Sequence, residues 1–436
     1  MTNSIHSTKQ YFRNFPQMCK LAYRNLYRNK RRTLFAIFIA ASGCASMCIA
    51  VGYYAFSIYS LQEMTIRNGF SGSGGSSHFQ VTDSRMKNIQ EQQSLKFGIA
   101  NADEIMEKIR LNPDVDYVMP RISFGGLISN GEQTFPFIGY GVDADSETKL
   151  RSGLSDIDPK LKLGEEIKLL SNKSQGIVLG SSLAKSLNAK VGDMLLLYST
   201  TTDGAVNAID VELLGIMSTG ISETDKYYLL TKTDIVQRLI VTNKVSNICV
   251  MLKNRDMFEA KHLQIGKDLS KSFPKDPLTV TDWTAHGEFY RSIRDIFNII
   301  FTFMGSIIIV IVLLSCWNIM NMSTMERIRE IGTLRAIGLS ITNIGNIFLL
   351  ESFFIGVIGV VIGLIVQYII AIGINALEIL MPPIPGMNQG YTLQVFSFTP
   401  YQPIIAIIMI VVISLSSISS FFVIKKYSIV ESLEHN

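Results

Sequence analysis

Residues Ser323–Leu339, STMERIREIGTLRAIGL, decide how the rest of the chain is to be understood. This short, charged, helix-forming stretch lies between two apolar runs, each long enough to cross a bilayer. Ser323 followed three residues later by Glu326 has the form of a capping box, and Gly338 has the form of a stop. On that reading Glu326 faces the positive end of the helix dipole and Arg335 the negative end. Met325, Ile328, Ile331 and Leu334 recur every three residues and give the helix an apolar stripe beside its charges. An amphipathic helix confined between two spans is expected to be a handle gripped from one side of the membrane.

The flanking sequence supplies the spans. The chain is 47% hydrophobic and 17% charged, a balance typical of a membrane protein. Residues 1–33 carry eight basic residues and no acidic one, and Met18–Arg28 has the pattern of an amphipathic helix lying on an anionic lipid surface. Leu34 to about Ser60 has no charge and is too long for a signal-peptide core, so it is expected to be an uncleaved first span. Glu288–Asp295, EFYRSIRD, runs directly into Ile296–Met320, which predicts one long helix made of a stalk and the second span. The third span is expected near Ile347–Leu377, with Gly356, Gly359 and Gly363 on a small-residue packing face, and the fourth over Ile404–Ile424. No basic residue occurs between Arg335 and Lys425. The positive-inside rule therefore puts both ends and Ser323–Leu339 in the cytoplasm, and Glu378–Pro403 outside. The formal charge of +4 follows this membrane pattern and gives no reason to expect a nucleic-acid partner.

Between the first two spans the composition turns polar. Asn68–Ser77, NGFSGSGGSS, is expected to be a flexible connector; a phosphate loop is disfavoured because no Lys-Ser/Thr follows. Strands are predicted at Phe79–Thr82, Tyr117–Arg121, Gly125–Ser129, Phe135–Val142, Gly176–Leu179, Leu195–Ser199, Val211–Met217, Tyr227–Leu230 and Asn247–Leu252. Helices are predicted at Ala102–Leu111, Ser181–Leu187, Lys232–Val241 and Met257–Ser272. Mixed short elements indicate an α+β domain. The fold class expected is an α-helical membrane protein with four transmembrane helices and a large α+β extracytoplasmic domain inserted between helices 1 and 2. The expected divisions are 1–33 amphipathic helix, 34–62 first span and stalk, 63–287 outer domain and 288–322 stalk and second span. They continue with 323–343 cytoplasmic helix, 344–377 third span, 378–403 outer loop, 404–424 fourth span and 425–436 tail.

Chemistry is sparse. His78 and His286 are isolated, Ser181 sits outside any GxSxG elbow, and of the cysteines Cys19, Cys44, Cys48, Cys249 and Cys316 only Cys249 falls in the polar domain. No GxxxxGK[ST] motif occurs, so the chain is not expected to hydrolyse nucleotide by that route, and no cofactor is expected on it. Glu351 is the only acid near the third span and is expected at the interface; a proton relay would need more.

Met325–Gly338, followed by Glu351-Ser352, resembles the signature of the FtsX-like permeases, which include the MacB, LolC/LolE and FtsX membrane subunits of ABC systems. Leu21–Ala36 resembles the family's approach to its first span, and Ile429–Leu433 its tail. Gly176–Ser199 and Val211–Thr231 are similar to the core of the MacB and LolC/LolE periplasmic domains, and Ser218–Asp225 leans toward the LolC/LolE branch. The resemblance implies a non-catalytic permease subunit of the bacterial inner membrane. Its partners would be a dimer of cytoplasmic ABC ATPases and a second copy or paralogue, and it would convert ATP hydrolysis into movement of its periplasmic domain. Lipoprotein release is the implied task, with a lipoprotein or a periplasmic adaptor as outer partner. The alternatives are MacB-like efflux, which would need a stand-alone ATPase, and an FtsX-type regulator of a cell-wall hydrolase. It also implies that Ser323–Leu339 is the ATPase-coupling helix. Glu326, Arg327, Arg329, Glu330 and Arg335 would be its polar grip, Leu334 would lie on its apolar stripe, Gly332 and Ala336 would permit close approach, and Gly338 would end it.

Overall fold

A computed structural model describes residues 18–28, 30–68, 77–85, 97–156, 165–173, 175–254, 258–286, 288–382 and 390–434. Most of the expected connector and the first seventeen residues lie outside these. Residues 18–28 form helix α1. Helix α2 spans Lys30–Asn68. The domain then runs β1 (Phe79–Asp83), α3 (Ala102–Arg110), β2 (Val115–Ser129), β3 (Thr134–Val142), α4 (Ala144–Ser152), α5 (Glu165–Asn172), β4 (Gly176–Gly180) and α6 (Ser181–Ser186). It continues with β5 (Met194–Thr200), β6 (Val206–Met217), α7 (Ser222–Asp225), β7 (Tyr228–Lys232), α8 (Thr233–Ile240), β8 (Asn247–Leu252), α9 (Phe258–Ser272) and β9 (Leu278–Asp282). Helices α10 (Glu288–Glu326), α11 (Ile328–Ala336) and α12 (Ile341–Ala376) follow. The chain closes with the hairpin β10 (Leu380–Met381) and β11 (Tyr391–Thr392), then α13 (Gln402–Leu415), α14 (Ile418–Lys426) and α15 (Ile429–Glu434). It divides into two compact units. One comprises Met1–Ser57, Asp295–Ile379 and Leu393–Asn436; the other comprises Ile58–Arg294 and Leu380–Thr392.

The second unit is built on a nine-stranded sheet in the order β3-β7-β4-β6-β5-β2-β8-β1-β9. A further β2–β3 pairing closes its first six strands into a ring. Strands β3 and β7, and β4 and β6, pair in parallel, while every other pair is antiparallel. The apolar runs of β4 and β7 show why both are central. Ile177, Leu179 and Leu229 enter the main core, and Val178, Tyr228 and Leu230 enter a second core with Ile167 and Leu170 of α5. A strand buried on both faces reads as a continuous apolar run.

The two strands expected at Tyr117–Arg121 and Gly125–Ser129 are one fifteen-residue strand. Within it Gly126 serves a close approach: a Cβ there would fall on the Tyr198 carbonyl oxygen of β5. Helices α4 and α5 and strand β9 are additions to the expected elements. Asp143 caps α4, its carboxylate accepting from the Ser146 N–H at 3.0 Å.

Among the described residues four helices are long and apolar enough to cross a membrane: Lys30–Asn68, Tyr290–Glu326, Ile341–Ala376 and Gln402–Lys426. At ~1.5 Å per residue the 39 residues of α2 or of α10 reach about 58 Å, nearly twice the hydrocarbon thickness. The fourth is not the single regular helix expected over Ile404–Ile424. It breaks between Leu415 and Ile418. There the hydroxyls of Ser416, Ser417 and Ser419 donate to the carbonyls of Ile413, Ser414 and Ser416, a pattern that bends helices.

The glycines of α12 lie against two neighbours. A Cβ on Gly359 would meet Ala40 Cβ, and one on Gly363 would come within 2.7 Å of the Ala41 carbonyl oxygen and 2.8 Å of Cys44 Cβ. Gly356 faces Ile410 of α13 more loosely, at 3.5 Å. Gly363→Leu is therefore expected to destabilise the helical unit by about 1–3 kcal/mol, the cost of overpacking. Thermal unfolding of the purified chain checks this, with Gly373→Leu as control, since a Cβ there meets nothing within 4 Å.

Candidate functional site

The coupling segment is assembled differently from its expected outline. Helix α10 runs through Ser323 and Thr324, both buried, and ends at Glu326. The capping box does not form. Ser323 is a helix-interior residue, and Glu326 stands at the negative end of α10 rather than the positive end of a new helix. Thr324 helps continue α10: its hydroxyl donates to the Met320 carbonyl at 2.8 Å and lies 2.7 Å from the Ser420 hydroxyl of α14. The break comes at Arg327, whose φ of −105° and ψ of 12° are not helical, and α11 begins at Ile328 with no side-chain cap.

The far end behaves as expected. Gly338 has φ +99°, the Leu339 N–H reaches the Leu334 carbonyl at 3.0 Å, and the Gly338 N–H reaches that of Arg335 at 3.0 Å. This pair of bonds is a Schellman stop. Ile328, Ile331 and Gly332 are buried. Ile331 packs with Ile344, Phe348 and Ile424, with Leu334 partly buried alongside, whereas Met325 is exposed.

Four of the five charges expected to grip a partner are occupied within the chain. Glu326 pairs with Arg32 of α2, and Glu330 with Arg28 of α1. Arg327, only 12% exposed, lies 3.3 Å from Glu330 and 3.2 Å from Glu351, with its guanidinium over the Phe348 ring. Glu351, inside α12, is 3% exposed. Arg335 donates to the Tyr427 carbonyl at 2.6 Å, beyond α14. Arg329 is exposed, with no ion-pair partner among the described residues. With Thr333, Ala336 and Ile337 it forms the outward face of α11 at i, i+4, i+7 and i+8, and Ile337 is 78% exposed.

Arg28, Arg32 and the Tyr427 carbonyl were not among the expected site residues. The signal for the arginines was present in the uncompensated basic run of residues 1–33, whose counter-charges prove to be Glu326 and Glu330. Among the described residues no cluster of three His, Cys, Asp or Glu side chains could hold a metal. In the other unit, the Ser218–Asp225 stretch folds on itself. The buried Asp225 carboxylate accepts from the hydroxyls of Ser181, Ser218 and Thr219 and from the Thr219 N–H, all at 2.7–2.9 Å.

Comparisons with known proteins bear on both units. The MacB-like periplasmic core domain matches residues 33–263, and the FtsX-like permease C-terminal domain matches residues 302–429. An uncharacterized ABC transporter permease of Methanocaldococcus jannaschii is 23% identical over 362 residues, 82% of this chain and 84% of that protein. The ABC transporter permease YtrF of Bacillus subtilis is 32% identical over 145 residues, and the match covers only a third of either protein. The lipoprotein-releasing system transmembrane protein LolE of Haemophilus influenzae is 25% identical over 277 residues, 62% of this chain and 64% of that protein. Among solved structures, the periplasmic region of MacB from Actinobacillus actinomycetemcomitans aligns at TM-score 0.32 and 13% identity, over 49% of this chain and 92% of that one. The extracellular domain of the transporter YknZ aligns at TM-score 0.32 and 14% identity, over 47% and 99%. With a MacB-like core domain matching more than half of its 436 residues and an FtsX-like domain after it, the chain is a membrane protein that belongs to the ABC transporter permeases of the MacB and FtsX type.

Proposed function

We propose that this chain is a mechanical transmission subunit of the bacterial inner membrane. It turns ATP hydrolysis on a separate cytoplasmic ATPase dimer into movement of its α+β domain, which acts on substrate at the outer face. ATP and Mg sit on the partner. A second copy or a paralogue completes the membrane part. The names of the LolC and LolE relatives favour a lipid-anchored protein as substrate, with a periplasmic adaptor as the other outer partner. Both ends of the chain lie in the cytoplasm on this reading, because basic residues cluster before and in the first turn of α2 and in the last turn of α14. The exposed Lys20 and Arg24, beside the exposed Leu21, Tyr23 and Tyr27, suit α1 to anionic lipid headgroups.

The observation that carries the reading is the frame around α11. Glu330 of α11 pairs with Arg28, Arg327 at its start with Glu351, and Glu326 at the end of α10 with Arg32, so a push on the α10–α11 junction reaches α1, α2 and α12 at once. The surface pairs are worth only about 0–1 kcal/mol each, so they fix position more than stability. The face left for a partner is Arg329, Thr333, Ala336 and Ile337. In the full chain reconstituted with its cognate ATPase, Arg329→Glu combined with Ile337→Asp is expected to lower permease-dependent ATPase stimulation at least tenfold while membrane insertion is unchanged. Stimulation at the unsubstituted level would overturn the assignment.

A further inference from the structure

The last turn of α2 is seated in the α+β unit by more than apolar contact. Ile66 is fully buried among Met119, Leu150, Cys249 and Trp283. Contacts of that kind carry no direction and leave a helix free to roll. Directional bonds surround it. Arg67 donates to the Leu150 carbonyl at 2.9 Å and to Glu63 at 2.8 Å. Asn68, the terminal residue of α2, is buried; its amide donates to the Thr219 carbonyl at 2.5 Å, and its carbonyl oxygen accepts from Arg151 at 2.5 Å.

Arg151 carries the connection onward. It is fully buried on α4, donates to Glu147 at 2.8 Å, and reaches the Tyr228 hydroxyl of β7. Glu147, also fully buried, is shared with Arg121 of β2. The helix end is thus wired through α4 to two strands of the ring. Two guanidiniums share one carboxylate, so the Asn68 oxygen is an acceptor that the network uses. Hydrogen bonds in a low-dielectric interior are strong and angle-dependent, and they fix rotation as well as position.

We propose that Asn68 is a positioning residue that locks the rotation of α2 to the α+β domain, so that tilting the helix turns the domain with it. The proposal rests on the permease reading above, and one experiment separates the two. The full chain, with its five native cysteines replaced, is spin-labelled at the exposed positions Glu132 and Phe398 and reconstituted with its cognate ATPase in nanodiscs. The label-to-label distance is measured by pulsed EPR with and without ATP and vanadate. In Asn68→Ala the nucleotide-driven shift is expected to fall by more than half while the ATPase rate stays within twofold. In Asn68→Asp, whose carboxylate still accepts from Arg151, both are retained. An undiminished shift in Asn68→Ala, or a parallel loss of rate and shift in both variants, overturns the joint. A shift absent from the unsubstituted chain overturns the permease reading, and the joint with it.

Discussion

Glu147→Leu is expected to leave the α+β domain unfolded at neutral pH. Arg121 is 1% exposed and Arg151 0%, and Glu147 is the carboxylate that both contact. Removing it strands two guanidiniums in a low-dielectric interior. Breaking a buried pair costs about 3–5 kcal/mol, and here two contacts are broken at once. That loss rivals the roughly 5–15 kcal/mol that holds a whole domain together. The combined replacement Arg121→Met, Glu147→Leu, Arg151→Met removes every stranded charge and is expected to restore folding. Denaturant titration followed by Trp283 fluorescence, in a Trp317→Phe background, measures both. The same carboxyl predicts acid sensitivity. Burial alone would raise its pKa, but the Arg121 and Arg151 guanidiniums outweigh burial and hold it below the ordinary value of 4.5. A depressed folded-state pKa stabilises above the unfolded value, so this contribution is complete at neutral pH. It is lost as pH falls below about 4.5 through the folded value. A flat stability profile across that range would contradict the assignment.

Arg327→Met is expected to destabilise the helical unit by about 3–5 kcal/mol, because Glu351 would be left buried beside α11 without its guanidinium. Adding Glu351→Leu should return most of that loss, since no charge then remains inside. The double variant also separates stability from coupling. If Arg327 serves to hold α11 in register, the double variant folds normally but stimulates its ATPase several-fold less than the unsubstituted chain. Thermal unfolding and ATPase stimulation, measured on the same preparation, give the two answers. Full stimulation in the double variant would show that the apolar contacts of Ile331 with Ile344 and Phe348 suffice to place the segment.

What was legible in the sequence was what depends on neighbours along the chain. Uncharged runs mark the spans, Gly338 marks a helix stop, and the continuous apolar run of β8 marks a strand whose expected bounds, Asn247–Leu252, match those observed. The ion pairs were not legible as pairs. Arg28 and Glu330 are separated by 302 residues, and no periodicity connects them. Each charge could be noted; its partner could not. Ser323 and Glu326 misled for a related reason. The capping pattern is a local preference worth about 1 kcal/mol, and here the continuing α10, with Thr324 bonded back to Met320, overrides it. Helix α4 escaped notice because it buries charged Glu147 and Arg151 together with Ala144 and Leu150, so its inward face does not read as apolar.

The position of β1 has a consequence for how the chain is made. The ring strands β2 to β7 lie between Val115 and Lys232, and each pairs within that interval. Among the described residues β1 pairs with β8 and β9, so it waits for residues near 250 and 280. Chain synthesis delivers the N-terminal part first, and contacts distant in sequence carry a larger loop-closure cost. The ring can therefore close, and bond the end of α2 through Leu150, Arg151 and Thr219, before β1 has both its partners. The strand that follows α2 is placed last, once β9 has emerged immediately ahead of α10. The end of α2 is thus bonded to the ring early, through Leu150, Arg151 and Thr219, while a chain truncated before Leu278 would hold a finished ring with β1 lacking its β9 partner.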